Sequence, residues 1–331
     1  MTAVTRDALV SSPQSTSTRL AGGLAFALLS AVTFGTSGTL ASGLLEAGWT
    51  AGSVVLVRIG LAAVVVLPFG LVSLRGRWGL VRRRAGPITA YGVLAVAGAQ
   101  LCYFQAVTRM QVGPALMIEY TAPAAVVGWL WLRHVQRPGP VTLAGTALAA
   151  TGLVLVLDLA SGGGLDPVGV LWALGAMVGV SSYFVMSADE DNGVPPMALA
   201  AGGLVVGAVL LGVLGVVGVL PMGASTAAAT YAGSDVPWWL PLLGLGLLSA
   251  AVAYTSGIAA SRRLGSRLAS FVGLLEVVSA VVFAWLLLDQ LPTTAQLVGG
   301  LLILAGVVVV NLGEPRSPAD VRAALPPASS H

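Results

Sequence analysis

The stretch PMALAAGGLVVGAVLLGVLGVVGVL, residues 196–220, contains no charged or polar side chain. About 20 consecutive apolar residues suffice to cross the hydrocarbon core of a bilayer. No water is present there to satisfy backbone N–H and C=O groups, so a crossing segment is a helix or a strand of a closed barrel. Barrel strands are about 10 residues long and alternate in polarity, and nothing in this chain alternates. The stretch therefore reads as a membrane-spanning helix.

The rest of the chain agrees. Of 331 residues, 56% are hydrophobic and 9% charged, against about 25% charged in soluble domains. Length alone would suit two soluble domains, but the apolar runs overrule that reading. Runs bounded by Gly, Pro or charge give ten segments: 20–41, 52–72, 87–107, 113–132, 139–158, 166–187, 195–218, 237–258, 265–288 and 293–312. The expected fold class is an all-α membrane protein of ten transmembrane helices. Residues 1–18 and 313–331 are Ser/Pro/Ala-rich and read as disordered cytoplasmic tails. The N-terminal apolar run is too long for a cleavable signal.

Charge placement orients the chain. All sixteen basic residues are Arg. With both termini in the cytoplasm, every Arg but Arg58 and Arg109 falls on the inner side, as positive-inside insertion requires. The run RGRWGLVRRR (75–84) is then a topology signal near anionic lipid, not a nucleic-acid surface. The single cysteine, Cys102, excludes an intrachain disulfide. The two histidines, His134 and His331, have no metal-site spacing. No cofactor is expected.

The two halves also resemble each other. At one constant offset Trp131 matches Trp285, Pro138 matches Pro292, Gly145 matches Gly299 and Gly152 matches Gly306. The expected units are residues 19–158 and 166–312, joined by a linker at 159–165. Five spans is an odd number, so the second unit enters the membrane upside down. Inverted repeats of this kind build a site near the midplane that opens alternately to either side.

In this order of features the chain resembles the EamA-type branch of the drug/metabolite transporter superfamily, over nearly all of residues 20–312. The matching residues are FG at 34–35, Arg58 in the second span and Pro123 in the fourth. ASRRLGSRLASFVGLLEVVSAVVFAWLLL (260–288), followed by QLVGGLLILAGVVVV (296–310), is the most characteristic part. Two positions depart from the family pattern: Glu276 is followed by Val277 rather than proline, and the ninth span ends in Asp289-Gln290. The resemblance implies a secondary transporter, often an exporter of amino acids, related metabolites or drugs. It also implies that spans 1–4 and 6–9 surround the cavity while spans 5 and 10 pack at one side. Small-residue stripes on span 5 (Gly145, Ala149, Gly152) and span 10 (Gly299, Ile303, Gly306) suit close helix packing. Packing within one chain is the favoured reading, and a homodimer through spans 5 and 10 the alternative.

A charge at the bilayer centre costs about 2.5–3.5 kcal/mol or more, so it faces a cavity or a partner. Arg58, Glu119 and Glu276 are such groups. Arg58 and Glu119 lie six residues below the outer starts of spans 2 and 4, about 9 Å deep at 1.5 Å per residue. Equal depth predicts an Arg58–Glu119 ion pair, structural or functional. Glu276 has no partner on this map and reads as a transport residue. A carboxyl in a desolvated pathway can take up and release a proton as access alternates, so H+ joins the small-molecule substrate as a candidate partner. Pro123 is placed to kink span 4 just below Glu119. Gln100, Tyr103, Tyr120, Trp172, Tyr183 and Tyr254 are uncharged candidates for the pathway, each also explicable as helix glue or an interfacial anchor.

Enzyme chemistry would need a nucleophile and base, or metal ligands, inside the spans. No histidine or paired aspartate is there, and SGGG (161–164) lacks the lysine of a phosphate loop. A channel would line one continuous polar pore. The expectation is alternating-access export of a small polar metabolite across a plasma membrane, with channel, scaffold or intramembrane enzyme as the alternative.

Overall fold

The computed structural model describes residues 13–122, 139–156, 165–188 and 193–313. The helices of the first half are α1 (Pro13–Glu46), α2 (Ala51–Leu74), the short α3 (Trp78–Arg83), α4 (Ala85–Val107), α5 (Val112–Glu119) and α6 (Pro140–Val156). Those of the second are α7 (Pro167–Ala188), α8 (Pro196–Val216), α9, α10 (Leu275–Leu288) and α11 (Thr294–Gly313). α9 is built of three consecutive segments, Trp239–Leu243, Gly244–Val252 and Ala253–Gly273. Between α8 and α9 a hairpin pairs β1 (Ala229–Tyr231) with β2 (Ser234–Val236) in antiparallel register, Tyr231 opposite Ser234. Its two-residue turn has positive φ at both Ala232 (49°) and Gly233 (72°), the geometry that fits the right-handed twist of paired strands.

Among the described residues five helices are long and apolar enough to cross a membrane, and four more apolar helices are shorter. The expected fourth span, 113–132, is described only as far as residue 122. Local chemistry sets several helix ends. Thr50 caps α2 by accepting from the Ser53 N–H, and Arg75 closes it in the left-handed region. Pro196 opens α8, where a missing N–H costs nothing. One expected edge is wrong: the gap between segments 237–258 and 265–288 is not seen. Helix continues through Ala253–Gly273, and the interruption falls at Leu274.

The halves interleave. α1 packs on α9 and α10, and the corresponding α7 packs on α4 and α5. α2 contacts α9, and α8 contacts α4 in the same exchanged sense; α2 and α8, α5 and α10, and α6 and α11 pair with each other. Two π-helical stretches sit at matching places, Tyr91–Gly98 in α4 and Gly244–Val252 in α9. The small-residue stripes face each other within the chain. A Cβ on Gly152 would lie 2.5 Å from the Gly299 carbonyl oxygen, and one on Gly306 2.6 Å from that of Gly145. The two small-residue stripes thus pack against each other within one chain.

The bundle has two chemically distinct ends. α1 starts beside α9, where Gly23 abuts Leu264 and Arg263, and Arg263 stacks on Phe26 at 4.6 Å. α1 finishes near the start of α2, Pro221 and the end of α4. α7 starts at that second end, where Gly169 abuts Arg109 and Met110, so α1 and α7 run in opposite directions. Arg75 to Arg84 lie past the end of α2, at the end where α1 begins.

Candidate functional site

The centre of the molecule is organised by two interrupted helices. α5 stops at Glu119, and Tyr120 and Thr121 form a turn in which Tyr120 N–H donates to the Leu116 carbonyl and Thr121 N–H to that of Ile118. The sequence supplies the cause: Pro123, four positions after Glu119, has no N–H to give its carbonyl. In the second half the interruption is at Leu274, the repeat counterpart of Tyr120, and Glu276 lies in the first turn of α10. Both breaks therefore fall at the same place in the repeat, one glutamate just before its break and the other just after.

A hydrogen bond bridges them. The Tyr120 hydroxyl donates to Glu276 Oε2 at 2.6 Å. Glu276, expected to lack a partner, has one, because the two broken helices pack face to face.

Arg58 is 3% exposed. Its Nη1 donates to Ser37 Oγ and its Nη2 to the Ser249 carbonyl at 3.1 Å, while the guanidinium carbon sits 5.4 Å from the Phe104 ring centroid. The Arg58–Glu119 ion pair expected from equal depth is not formed; the ion pair found among the described residues is Arg109–Asp166 at 3.3 Å. Depth fixes height along the membrane normal but not rotation about the helix axis, and α2 turns Arg58 toward α1 and α9 instead. Arg58 nevertheless lies within electrostatic range of Tyr254, Glu276, Tyr103 and Glu119.

Three buried polar atoms in this region have no protein partner: Arg58 Nε, Gln100 Oε1 and Glu119 Oε2. They are one donor and two acceptors, on α2, α4 and α5. Around them Tyr254 meets Phe34 edge-on at 5.2 Å, the Gln100 amide reaches the Tyr254 hydroxyl, and the buried Tyr103 hydroxyl lies against the bare backbone of Gly38. On α7, Trp172 packs half-buried on the core, and Tyr183 lies 6.0 Å from Tyr91. Arg109 and Asp166 are at the end of the bundle, and Asp166 also accepts from the Val168 N–H at 2.8 Å.

The sequence reading missed Ser37, Phe104 and Ser249. Ser37 stands two residues after the FG at 34–35, and a small hydroxyl one helix away from a buried Arg is the signal that could have found it. Ser249 takes part through its carbonyl, which no side-chain pattern reveals.

A bundle of interleaved apolar halves with ionisable groups at broken helices is the layout of a multi-pass membrane transporter. The chain belongs to the EamA-like transporter family, whose pattern matches twice, over residues 21–158 and 167–312. It is similar to the uncharacterized inner membrane transporter YicL of Salmonella typhimurium strain LT2, with 20% identity across 89% of this chain and 96% of the relative. It is also similar to the threonine/homoserine exporter RhtA of Salmonella typhimurium strain SL1344, with 26% identity across 80% of this chain and 81% of that protein. A protein of known crystal structure shares the fold at a TM-score of 0.56 and 20% identity, covering 89% of this chain and 98% of its own.

Proposed function

We propose that the protein is a secondary transporter that exports a small zwitterionic metabolite, of the amino-acid class, across the plasma membrane by alternating access. In this reading ten spans form two inverted five-helix units, and the arginine-rich end faces the cytoplasm with both termini. The observation that carries the substrate class is the trio of unpaired buried atoms. Leaving a buried polar atom unmatched costs about 1–3 kcal/mol, and three together suit a ligand that matches them. Arg58 Nε–H suits a carboxylate; Glu119 Oε2 and Gln100 Oε1 suit an ammonium. The similarity to a threonine/homoserine exporter supports the same class.

Glu119 and Glu276 then serve as the proton-handling groups, placed at helix breaks where one half can shift against the other. Efflux of labelled threonine from preloaded cells tests this. Glu119→Gln and Glu276→Gln are expected to lower efflux at least tenfold at equal expression. Wild-type rates for both variants across pH 5–8 would overturn the proton role. Wild-type rates for Arg58→Gln would overturn the recognition scheme.

A further inference from the structure

We propose that the arginine-poor end holds a second ligand site, a vestibule that takes small primary amines in their ammonium form. A cavity of about 510 Å³ opens there between the end of α1, the start of α2, the end of α4 and Pro221. Ligand pockets commonly enclose about 300–1,000 Å³. None of Arg58, Gln100, Glu119 or Glu276 lines it, so it is separate from the central cluster.

Its electrostatics favour a cation. Glu46 is the one ionisable side chain lining it. Arg109, next in the chain to the lining residue Thr108, is held by Asp166 and does not neutralise Glu46. Ser42 Oγ donates to Glu46 Oε1 at 3.4 Å, which leaves Oε2 for a ligand. Trp49 adds the second, independent feature. It lines the cavity and is 8% exposed, yet its indole N–H has no acceptor. Its ring packs 5.8 Å from that of Trp238, and the unmatched N–H suits an oxygen on the same ligand. Gln105 supplies a further amide at the inner wall.

The walls are fixed by built contacts. Thr50 Oγ1 donates to the Pro221 carbonyl and accepts from the Gly223 N–H, each at 2.9 Å, and Thr50 N–H donates to the Gly223 carbonyl. Leu220 fills the space left by Gly52, whose Cβ would lie 2.8 Å from it. The Tyr231 phenol donates to the Leu40 carbonyl at 2.7 Å. Burial pushes that phenol above its ordinary range, and the Glu46 carboxylate adds to the effect, so the contact persists at physiological pH.

Binding of an amine follows from the cavity alone; its role as an exit station for exported substrate rests on the transport reading. Full-length protein in lipid nanodiscs is titrated with n-butylammonium chloride and with sodium butyrate while tryptophan emission is followed. A saturable change with n-butylammonium and none with butyrate is expected. Glu46→Gln should weaken it at least tenfold, Trp49→Phe should abolish the signal, and Glu119→Gln should leave it intact. Equal binding by Glu46→Gln, or equal binding of butyrate, overturns the site. Loss in Glu119→Gln with retention in Glu46→Gln assigns the amine to the centre and also overturns it. If threonine efflux is absent while Glu46-dependent amine binding persists, the transport reading falls and the vestibule stands. If efflux by Glu46→Gln has an unchanged KM, the exit-station role falls.

Discussion

The Tyr120 hydroxyl donates to Glu276 Oε2 across 2.6 Å, joining residues 156 positions apart at two helix breaks that occupy the same place in the repeat. Each half of the molecule thus contributes one side of a contact at its own point of interruption. A hydrogen bond to a carboxylate is worth about 1.5–3 kcal/mol. Tyr120→Phe is therefore expected to slow efflux about tenfold. Added to Glu276→Ala, it should produce no further loss, because no acceptor remains for the hydroxyl. A full additional loss in the double variant would separate the two residues.

Arg58 is held by a serine hydroxyl and a backbone carbonyl rather than by an acid. Lysine cannot reproduce the planar fork that reaches both. Arg58→Lys should lower the melting temperature of the purified protein, and Ser37→Ala should cost about 1–3 kcal/mol. Thermal unfolding in detergent, read on both variants beside wild type, checks this.

The α6–α11 contact leaves no room for a side chain. Gly152 and Gly306 face backbone atoms of the opposite helix, which cannot swing aside as a side-chain tip can. Gly152→Ala and Gly306→Ala should each destabilise by about 1–3 kcal/mol, the range for overpacking. Gly212 in α8 has nothing within 4 Å of an added Cβ. Gly212→Ala is the control and should be neutral or slightly stabilising, since alanine is the better helix former.

Asp166 stands just before α7, at the end of the bundle, and its carboxyl is held below the ordinary range. The Val168 N–H is the main cause, with the Arg109 guanidinium assisting. A lowered value means the carboxylate contributes stability fully above the unfolded pKa, about 3.9. The contribution fades as pH falls through the lower folded value. The melting-temperature difference between wild type and Asp166→Asn should stay constant from about pH 8 to pH 5 and shrink below about pH 4. Added salt should also shrink it, as the pair is exposed.

Much of the fold was legible because the bilayer leaves few choices. The edges of α2, α4, α7 and α8 follow from where apolar runs meet Gly, Pro or Arg. The break after Glu119 followed from Pro123. The matching break at Leu274 did not, because no proline marks it; it becomes visible only when the repeat is overlaid on the structure. The π-helical stretches carry no sequence signature of their own. The β-hairpin at 229–236 was also missed, since strands of three residues are too short to show alternation.

At the site, residue types were readable and partners were not. Glu119, Glu276, Tyr120 and Arg58 stood out because polar atoms in an apolar run demand a reason. Which atom meets which depends on helix rotation, and that is set by packing between segments more than a hundred residues apart. Arg58 was matched to the wrong group for that reason.

The embrace of α1 by α9 and α10 also governs how the chain is made. α1 meets α9 and α10, the helices it packs on most, only after some two hundred further residues have been synthesised. Until then the part of its inward face that α9 covers, with Ser30 bonded to the Ala253 carbonyl in the finished fold, has only lipid or the insertion machinery for company. A nascent chain cut short after α6 exposes that face to membrane quality control, so truncated products should be cleared rather than accumulate as half-bundles.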